Sequence, residues 1–301
     1  MLKESTFRYA QFVDNEAASS DEIAKCGREF RTLRSDAENE SKIIAIFKDG
    51  SSVTGDLIIA ADGANSVVRE SVFAGGQGEA HQVAYGGVNM DVCYKDAETS
   101  KYLRSFLNPI LAIGVHPRGY WLWMSVQDVP DPEHPEDWTF QLQWTWKLSP
   151  ETEYLSDQDL GKLKAEAEEV FGEPWKTAWT KIPAGTRLPA NRISAWHPMP
   201  IADPEFAGKV GLVGDAAHAM SFHRGQGMNH GIADVLKLTQ ALTDVQRGEK
   251  VLVDAVKEYE AEMVQRAGEE VNVSKKNTEM VHDWERLQES PFMQRGGDRN
   301  K

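Results

Sequence analysis

Residues 208–236, GKVGLVGDAAHAMSFHRGQGMNHGIADVL, constrain this chain more than any other stretch. Val210, Leu212 and Val213 form a short unbroken apolar run, the pattern of an interior strand covered on both faces. Gly214-Asp215 ends the run in a turn, a loop rich in His and Gly follows, and a helix is expected from about Asn229. Ile232, Val235, Leu236, Thr239 and Leu242 recur at three- and four-residue spacing, which predicts one apolar helix face. A strand that delivers an Asp and then Gly225-Gln226-Gly227 at a helix start is a natural anion or cofactor site. Free backbone N–H groups and the positive end of the helix dipole both point at a ligand there.

A second strand–turn unit stands at residues 57–69, LIIAADGANSVVR: a buried strand from Leu57 to Ala61, the turn Asp62-Gly63, and Ser66 placed to cap a short helix through Arg69 and Glu70. Before it, Lys48-Asp49-Gly50-Ser51 reads as a hairpin turn. Residues 83–147 change to strand-like alternation, with Phe140, Leu142, Trp144 and Trp146 against Thr139, Gln141, Gln143 and Thr145. That is a half-covered antiparallel strand. Trp121 and Trp123 share one face of a neighbouring strand. These aromatics fit either sheet packing or the wall of an aromatic substrate pocket. Helical spacing returns at Leu160, Leu163, Ala167, Val170 and Phe171, and again from Val251 to about residue 270.

Composition narrows the function. The 301 residues have room for one large domain or two smaller ones, and 41% hydrophobic with 27% charged residues is ordinary for a soluble globular chain. A net charge of −14 argues against nucleic acid or anionic membrane as partner. No apolar run approaches the roughly 18 residues a membrane span needs, and the start lacks the pattern of a secretory signal. Two cysteines, Cys26 and Cys93, point to a reducing, cytoplasmic setting. His218, His223 and Arg224 lie within one seven-residue stretch and are candidates for acid–base chemistry, with Asp215 beside them. No metal-ligand spacing is present, and no Ser-x-x-Lys or G-x-S-x-G nucleophile arrangement.

The two strand–turn units together resemble the second and third fingerprints of the single-component flavoprotein aromatic hydroxylases. That family includes p-hydroxybenzoate and salicylate hydroxylases, and the likeness is closest to its fungal natural-product branch. It extends through GYWLWMSVQDVPDPEHPEDWTFQLQWTW and NTEMVHDWERLQESP. The resemblance implies an α/β fold: a remnant of a Rossmann-like FAD domain plus an antiparallel substrate sheet. The expected layout is a partial FAD domain over 1–82, the sheet over 83–182, and a return to the FAD domain with C-terminal helices over 183–301. Residues 1–26 read as the stump of a helix and loop.

By the same resemblance, Asp215 would bind the ribityl chain of a flavin. Gly225, Gln226, Gly227, Met228 and Asn229 would set a helix start against its pyrimidine edge. Asp62, Gly63 and Arg69 would lie near the pyrophosphate and the path of NAD(P)H. Blander readings make both aspartates turn residues and Arg69 a surface cation. Trp121, Trp123, Trp144, Met220 and Phe222 would line a pocket, with Phe222 standing where the family usually has proline. The family's opening G-x-G-x-x-G unit is not found at its required spacing: neither Gly76-Gln77-Gly78 nor Gly225-Gln226-Gly227 continues correctly. The leading expectation is therefore an enzyme without cofactor. It would use His223, with His218, Arg224 or Asp215, to cyclise, isomerise or dehydrate a polyketide- or terpenoid-type substrate. The rival is an FAD- and NAD(P)H-dependent hydroxylase whose ADP-binding half lies elsewhere, and a third reading is a non-catalytic partner subunit. A homodimer, or pairing through an exposed sheet edge, is expected in each case.

Overall fold

A computed structural model describes residues 10–12, 28–153, 155, 159–189, 191–290 and 293. In chain order its strands and helices begin with β1 (Ala10–Phe12), β2 (Phe30–Ser35), β3 (Ile43–Phe47), β4 (Ser52–Gly55), β5 (Ile58–Ala60) and α1 (Val67–Val72). There follow β6 (His81–Cys93), α2 (Ala97–Ser105), β7 (Leu111–His116), β8 (Tyr120–Asp128) and β9 (Thr139–Lys147). Next come α3 (Leu160–Val170), α4 (Trp175–Thr180), β10 (Asn191–Ala195) and β11 (Val210–Leu212). The chain closes with α5 (Asp215–His218), α6 (Gly227–Gln246), α7 (Leu252–Val281) and α8 (Trp284–Gln288). The fold is α/β. Apart from β1, the stump expected over 1–26 lies outside the described residues, as does Cys26.

The chain divides into two compact units, one of residues 1–81 and 194–276, the other of 82–193 and 277–301. The divisions fall inside β6, β10 and α7, so residues 183–193 and 277–301 go with the unit that holds the five-stranded sheet.

In the first unit, β5 and β11 pair in parallel, Val210 opposite Ile58 and Leu212 opposite Ala60, and β1 lies antiparallel on the far side of β5. All three β11 residues are buried, as a parallel strand requires. β2, β3 and β4 form an antiparallel meander whose β3–β4 turn is the expected hairpin, with Gly50 at φ 84° and Asp49 Oδ1 accepting the Ser51 N–H at 2.8 Å. Ile43, Ala45, Ile58, Val68, Val210, Leu212, Tyr259 and Met263 belong to one core, and the Tyr259 hydroxyl donates to the Leu212 carbonyl at 2.8 Å.

Helix α6 departs from its expected orientation. Of the positions read as its apolar face, Ile232 is 50% exposed, Val235 56% and Leu236 66%, Thr239 is exposed too, and Leu242 packs half-buried against the core; Met228, one turn ahead of Ile232, is 78% exposed. The buried side carries Leu238, which reaches over Gly211 of β11, and the carboxylate of Asp234. Periodicity finds a helix's stripe but does not say which stripe meets the core.

In the second unit, one sheet runs β10-β6-β9-β8-β7, with every pairing from β6 through β7 antiparallel. Phe140, Leu142, Trp144 and Trp146 face a core shared with Leu163 and Ala167 of α3 and with Ala178 and Trp179 of α4. The alternate face carries Trp121, Trp123, Gln141, Gln143 and Thr145. Gln143 and Thr145 are buried too, so the polar side of β9 is not the wet side that alternation suggests. Over Thr145 lies His282, whose ring is also 4.6 Å from that of Tyr85.

Candidate functional site

The first unit holds a groove of about 560 Å³ lined by Gly214, Asp215, Gly227, Met228, Gly231, Ile232, Val235 and Leu236. Its floor depends on glycine. Gly214, at φ 59° and ψ −142°, leaves β11 in a conformation that side chains rarely adopt. A Cβ on Gly231 would lie 3.6 Å from the Gly214 Cα, and one on Gly227 would lie 3.7 Å from Asp215 Oδ1, so substitution would fill the floor. Asp215 is exposed and its carboxylate has no partner among the described residues. No side chain caps α6; the Gln226 amide donates instead to the Arg224 carbonyl at 3.2 Å and accepts from Asn229 at 3.2 Å. The first-turn N–H groups of a twenty-residue helix thus remain open at the groove's end.

Behind the groove lies a polar network that the sequence did not reveal. Asp234 is fully buried; its Oδ2 accepts the Gly214 N–H at 2.8 Å and His218 Nε2–H at 2.6 Å, and its Oδ1 accepts from Arg266 at 2.8 Å. Burial pushes the Asp234 carboxyl up, but hydrogen bonds from His218 and Arg266 outweigh it and hold the group below the usual range. Arg266 also pairs with Glu262 and reaches His230 Nδ1 at 3.1 Å. His218 is fully buried and does not line the groove, and its Nδ1 finds no partner among the described residues. The expectation of His218 as a working base is corrected: its ring is held inside the core by Asp234. Signal for Asp234 was present only as a carboxylate interrupting an apolar stretch of helix.

The turn before α6 holds the other candidates. Met220 sulfur accepts from the Ser274 hydroxyl at 3.7 Å, and Ser221 donates to the Ser274 carbonyl at 3.1 Å. The rings of Phe222 and His223 stack at 4.7 Å and 23°. Arg224 Nε donates to Glu270 at 2.8 Å, and Gly225 turns the chain at φ 64°. The ring beside His218 is that of His230, at 6.0 Å. Asp215, Gly227 and Met228 meet in the groove; His223, Arg224, Phe222 and Met220 do not line it.

The Asp62-Gly63 turn is spent on structure. Asp62 accepts from the Ser66 hydroxyl and from the N–H groups of Val67, at 2.8 Å, and Val68, at 3.2 Å, closing the start of α1, while Gly63 supplies φ 82°. Arg69 is not a surface cation. It is fully buried, donating to the carbonyls of Gly78 at 2.6 Å, Ala64 at 2.6 Å, Ala216 at 3.0 Å and Asp215 at 3.3 Å, over the Trp196 ring at 4.8 Å. Gly78 belongs to this clamp: a Cβ there would strike the Arg69 carbonyl oxygen at 2.6 Å.

In the second unit, Trp144 is corrected from pocket wall to core. It is fully buried against Trp146, Trp179, Phe171 and Tyr120, at centroid distances of 5.9, 5.2, 4.7 and 5.3 Å. Trp121 and Trp123 occupy the opposite face and stack at 6.2 Å, Trp121 buried and Trp123 half-buried. Among the described residues no cluster of His, Cys, Asp and Glu could hold a metal, and no helix is long and apolar enough to cross a membrane.

Comparison with known proteins gives a consistent pattern. The family described as FAD binding domain matches residues 14–274. The FAD-dependent monooxygenase phnB of Penicillium herquei is 39% identical over 274 residues, which are 88% of this chain and 65% of the relative. The FAD-dependent monooxygenase cctM of Talaromyces islandicus is 33% identical over 262 residues, 87% of this chain and 64% of the relative. The chain thus spans just under two thirds of the length of these relatives. Among solved structures, Klebsiella pneumoniae HpxO complexed with FAD and uric acid matches with a TM-score of 0.66 at 21% identity, over 89% of this chain and 62% of that one. The 2,6-dihydroxypyridine-3-hydroxylase of Arthrobacter nicotinovorans matches with a TM-score of 0.69 at 17% identity, over 87% and 66%. At these identities the structural matches show a shared fold.

Proposed function

This chain belongs to the FAD binding domain family, and from that premise we propose that it serves an FAD-dependent monooxygenase of secondary metabolism acting on an aromatic, polyketide-type substrate. The observation that carries the reading is Asp215: an exposed carboxylate without a partner among the described residues, on a glycine-floored groove, beside an uncapped helix start. Those residues fit the ribityl and pyrimidine end of a flavin. Asp215 would accept hydrogen bonds from ribityl hydroxyls. Gly227 and Gly231 leave room for close approach, and the open N–H groups of α6 favour negative charge at the pyrimidine edge. Bound flavin supplies the oxygen-activating chemistry. Asp62 and Arg69 do not fit a pyrophosphate role, because capping α1 and gripping carbonyls already occupy them.

Asp215→Ala should weaken FAD binding by roughly 10- to 100-fold, the worth of a hydrogen bond to a charged group, and leave the melting temperature unchanged because the carboxylate holds nothing in the fold. Flavin fluorescence quenching on titration reads the first and a thermal melt the second. Equal affinity for variant and wild type would overturn the role of Asp215. A wild type that takes up no flavin would overturn the monooxygenase reading itself. It would favour the second reading, acid–base chemistry without cofactor around His223, which the engagement of Asp62 and Arg69 with the protein itself supports.

We also propose that the chain self-associates through α6. The open stripe on α6 is free of charge from Met228 to Leu236 and runs from a glycine-notched end, Gly227 and Gly231, to a bulky end, Val235 and Leu236. Two copies related by a two-fold axis would set bulky end against notched end, the self-complementarity that an isologous contact needs, and because this covers Gly227 and Gly231 of the groove the pairing belongs to the chain without flavin. Sedimentation velocity at micromolar concentration should show dimer, and Leu236→Asp should return it to monomer. A wild type that stays monomeric removes the pairing.

A further inference from the structure

The geometry points to Asp234 as the residue that positions both ends of the groove at once. Its carboxylate holds the Gly214 N–H at 2.8 Å, and Gly214 is the glycine-only hinge from which Asp215 leaves β11. The same oxygen takes His218 Nε2–H at 2.6 Å, so the last residue of α5 is anchored by the group that anchors the residue before its first. The other oxygen takes Arg266 at 2.8 Å. From Arg266 the constraint continues outward. Its Nη1 donates to His230 Nδ1 at 3.1 Å, which leaves the proton of the neutral ring on Nε2, 4.0 Å from Glu270 Oε2. Glu270 Oε1 accepts from Arg224 at 2.8 Å and from the Ser274 hydroxyl at 3.2 Å. Glu262, itself paired with Lys237 at 3.1 Å, steadies Arg266 from the side. One run of polar contacts therefore joins Gly214, where the groove begins, to Arg224, where the turn into α6 begins.

Asp234 and Arg266 are joined across two helices, and neither touches the groove. Their arrangement concerns the shape of the groove and stands apart from the identity of its ligand. A carboxylate that merely stabilised the core would loosen its own surroundings when changed. A positioning group shared by two segments makes each segment answer to a cut at the other.

Hydrogen exchange read by mass spectrometry on the full chain tests this. Asp234→Asn should raise amide exchange about tenfold or more over 214–218 and over 222–230, the loss expected for charge-assisted hydrogen bonds, with the β2–β4 meander unchanged. Glu270→Gln cuts the network at its outer end and touches neither Gly214 nor Asp215. It should still raise exchange over 214–216. Unchanged exchange at 214–216 in Glu270→Gln, or at 222–230 in Asp234→Asn, would overturn the assignment. Should Asp234→Asn fail to fold, Glu270→Gln decides alone.

Discussion

Replacing Arg69 by alanine should cost the first unit about 3–5 kcal/mol, the range for removing a buried charged group from a satisfied site. The guanidinium serves four main-chain carbonyls from three segments: Ala64 after β5, Gly78 after α1, and Asp215 with Ala216 in α5. Without it, buried acceptors lose their donors, each a desolvation penalty of about 1–3 kcal/mol before relaxation, and the Trp196 ring loses its cation. Burial pulls the Arg69 pKa down, offset in part by the charges of Asp62 and Glu70, yet a guanidinium stays protonated throughout the ordinary pH range. Arg69→Lys should recover less than half of the loss, because one ammonium cannot span acceptors that a planar fork reaches from several directions. Urea unfolding followed by tryptophan fluorescence measures both variants. A midpoint for Arg69→Ala within about 1 kcal/mol of wild type, well below the range for such losses, would show that the carbonyls find other donors.

Acid should weaken the second unit through His282. Burial drives its pKa down from the ordinary 6.5 to about 4, and hydrogen bonds at the ring only partly oppose it. Nδ1 lies 2.7 Å from the Thr278 carbonyl and so carries the proton, and Nε2 accepts from the Thr145 hydroxyl at 2.8 Å. The folded state holds the ring neutral while the unfolded chain binds a proton below about pH 6.5. Stability is therefore fully present above that pH and falls as the pH drops toward 4, by roughly 3 kcal/mol in all if the whole shift is expressed. His116, in the same unit, is depressed as well, chiefly by burial, and adds slope of the same sign. His282→Gln keeps a donor and an acceptor but no titration in this window. It should flatten the fall in stability between pH 6.5 and 4 by about half or more. Parallel curves for variant and wild type would mean that the ring gains its proton without leaving the fold.

Much of this molecule could be read from its residues, and the misreadings have physical causes. The strand at Val210, the turn at Gly214-Asp215 and the helix beyond it were legible because a buried parallel strand and a glycine turn leave local marks. The placement of α6 was not: Ile232, Val235 and Leu236 form a stripe as good as any core stripe, and only the third dimension shows Asp234 and Leu238 turned inward instead. Alternation on β9 separated Trp144 from Gln143 correctly and put the aromatic side inside, but not the burial of Gln143 and Thr145 on the other side, since the His282 that lies over Thr145 comes from distant sequence. Arg69 looked like a surface cation because its acceptors are backbone atoms, which have no letter in a sequence. The chain's own Gly76-Gln77-Gly78 failed as a phosphate loop for a reason now visible: Gly78 is small so that α1 can lie against it.

The clamp around Arg69 also sets how freely neighbouring positions can drift. Its acceptors at Ala64, Asp215 and Ala216 are main-chain oxygens, so a change of side chain there leaves the grip intact. A saturation library should then be lopsided. Position 69 would accept almost nothing, Gly78 would reject every residue with a Cβ, and Ala64 would tolerate many replacements while still supplying its oxygen. Asp215 in particular is free to be exchanged without dismantling its own support. A single arginine thus lets the groove change its chemistry while keeping its frame.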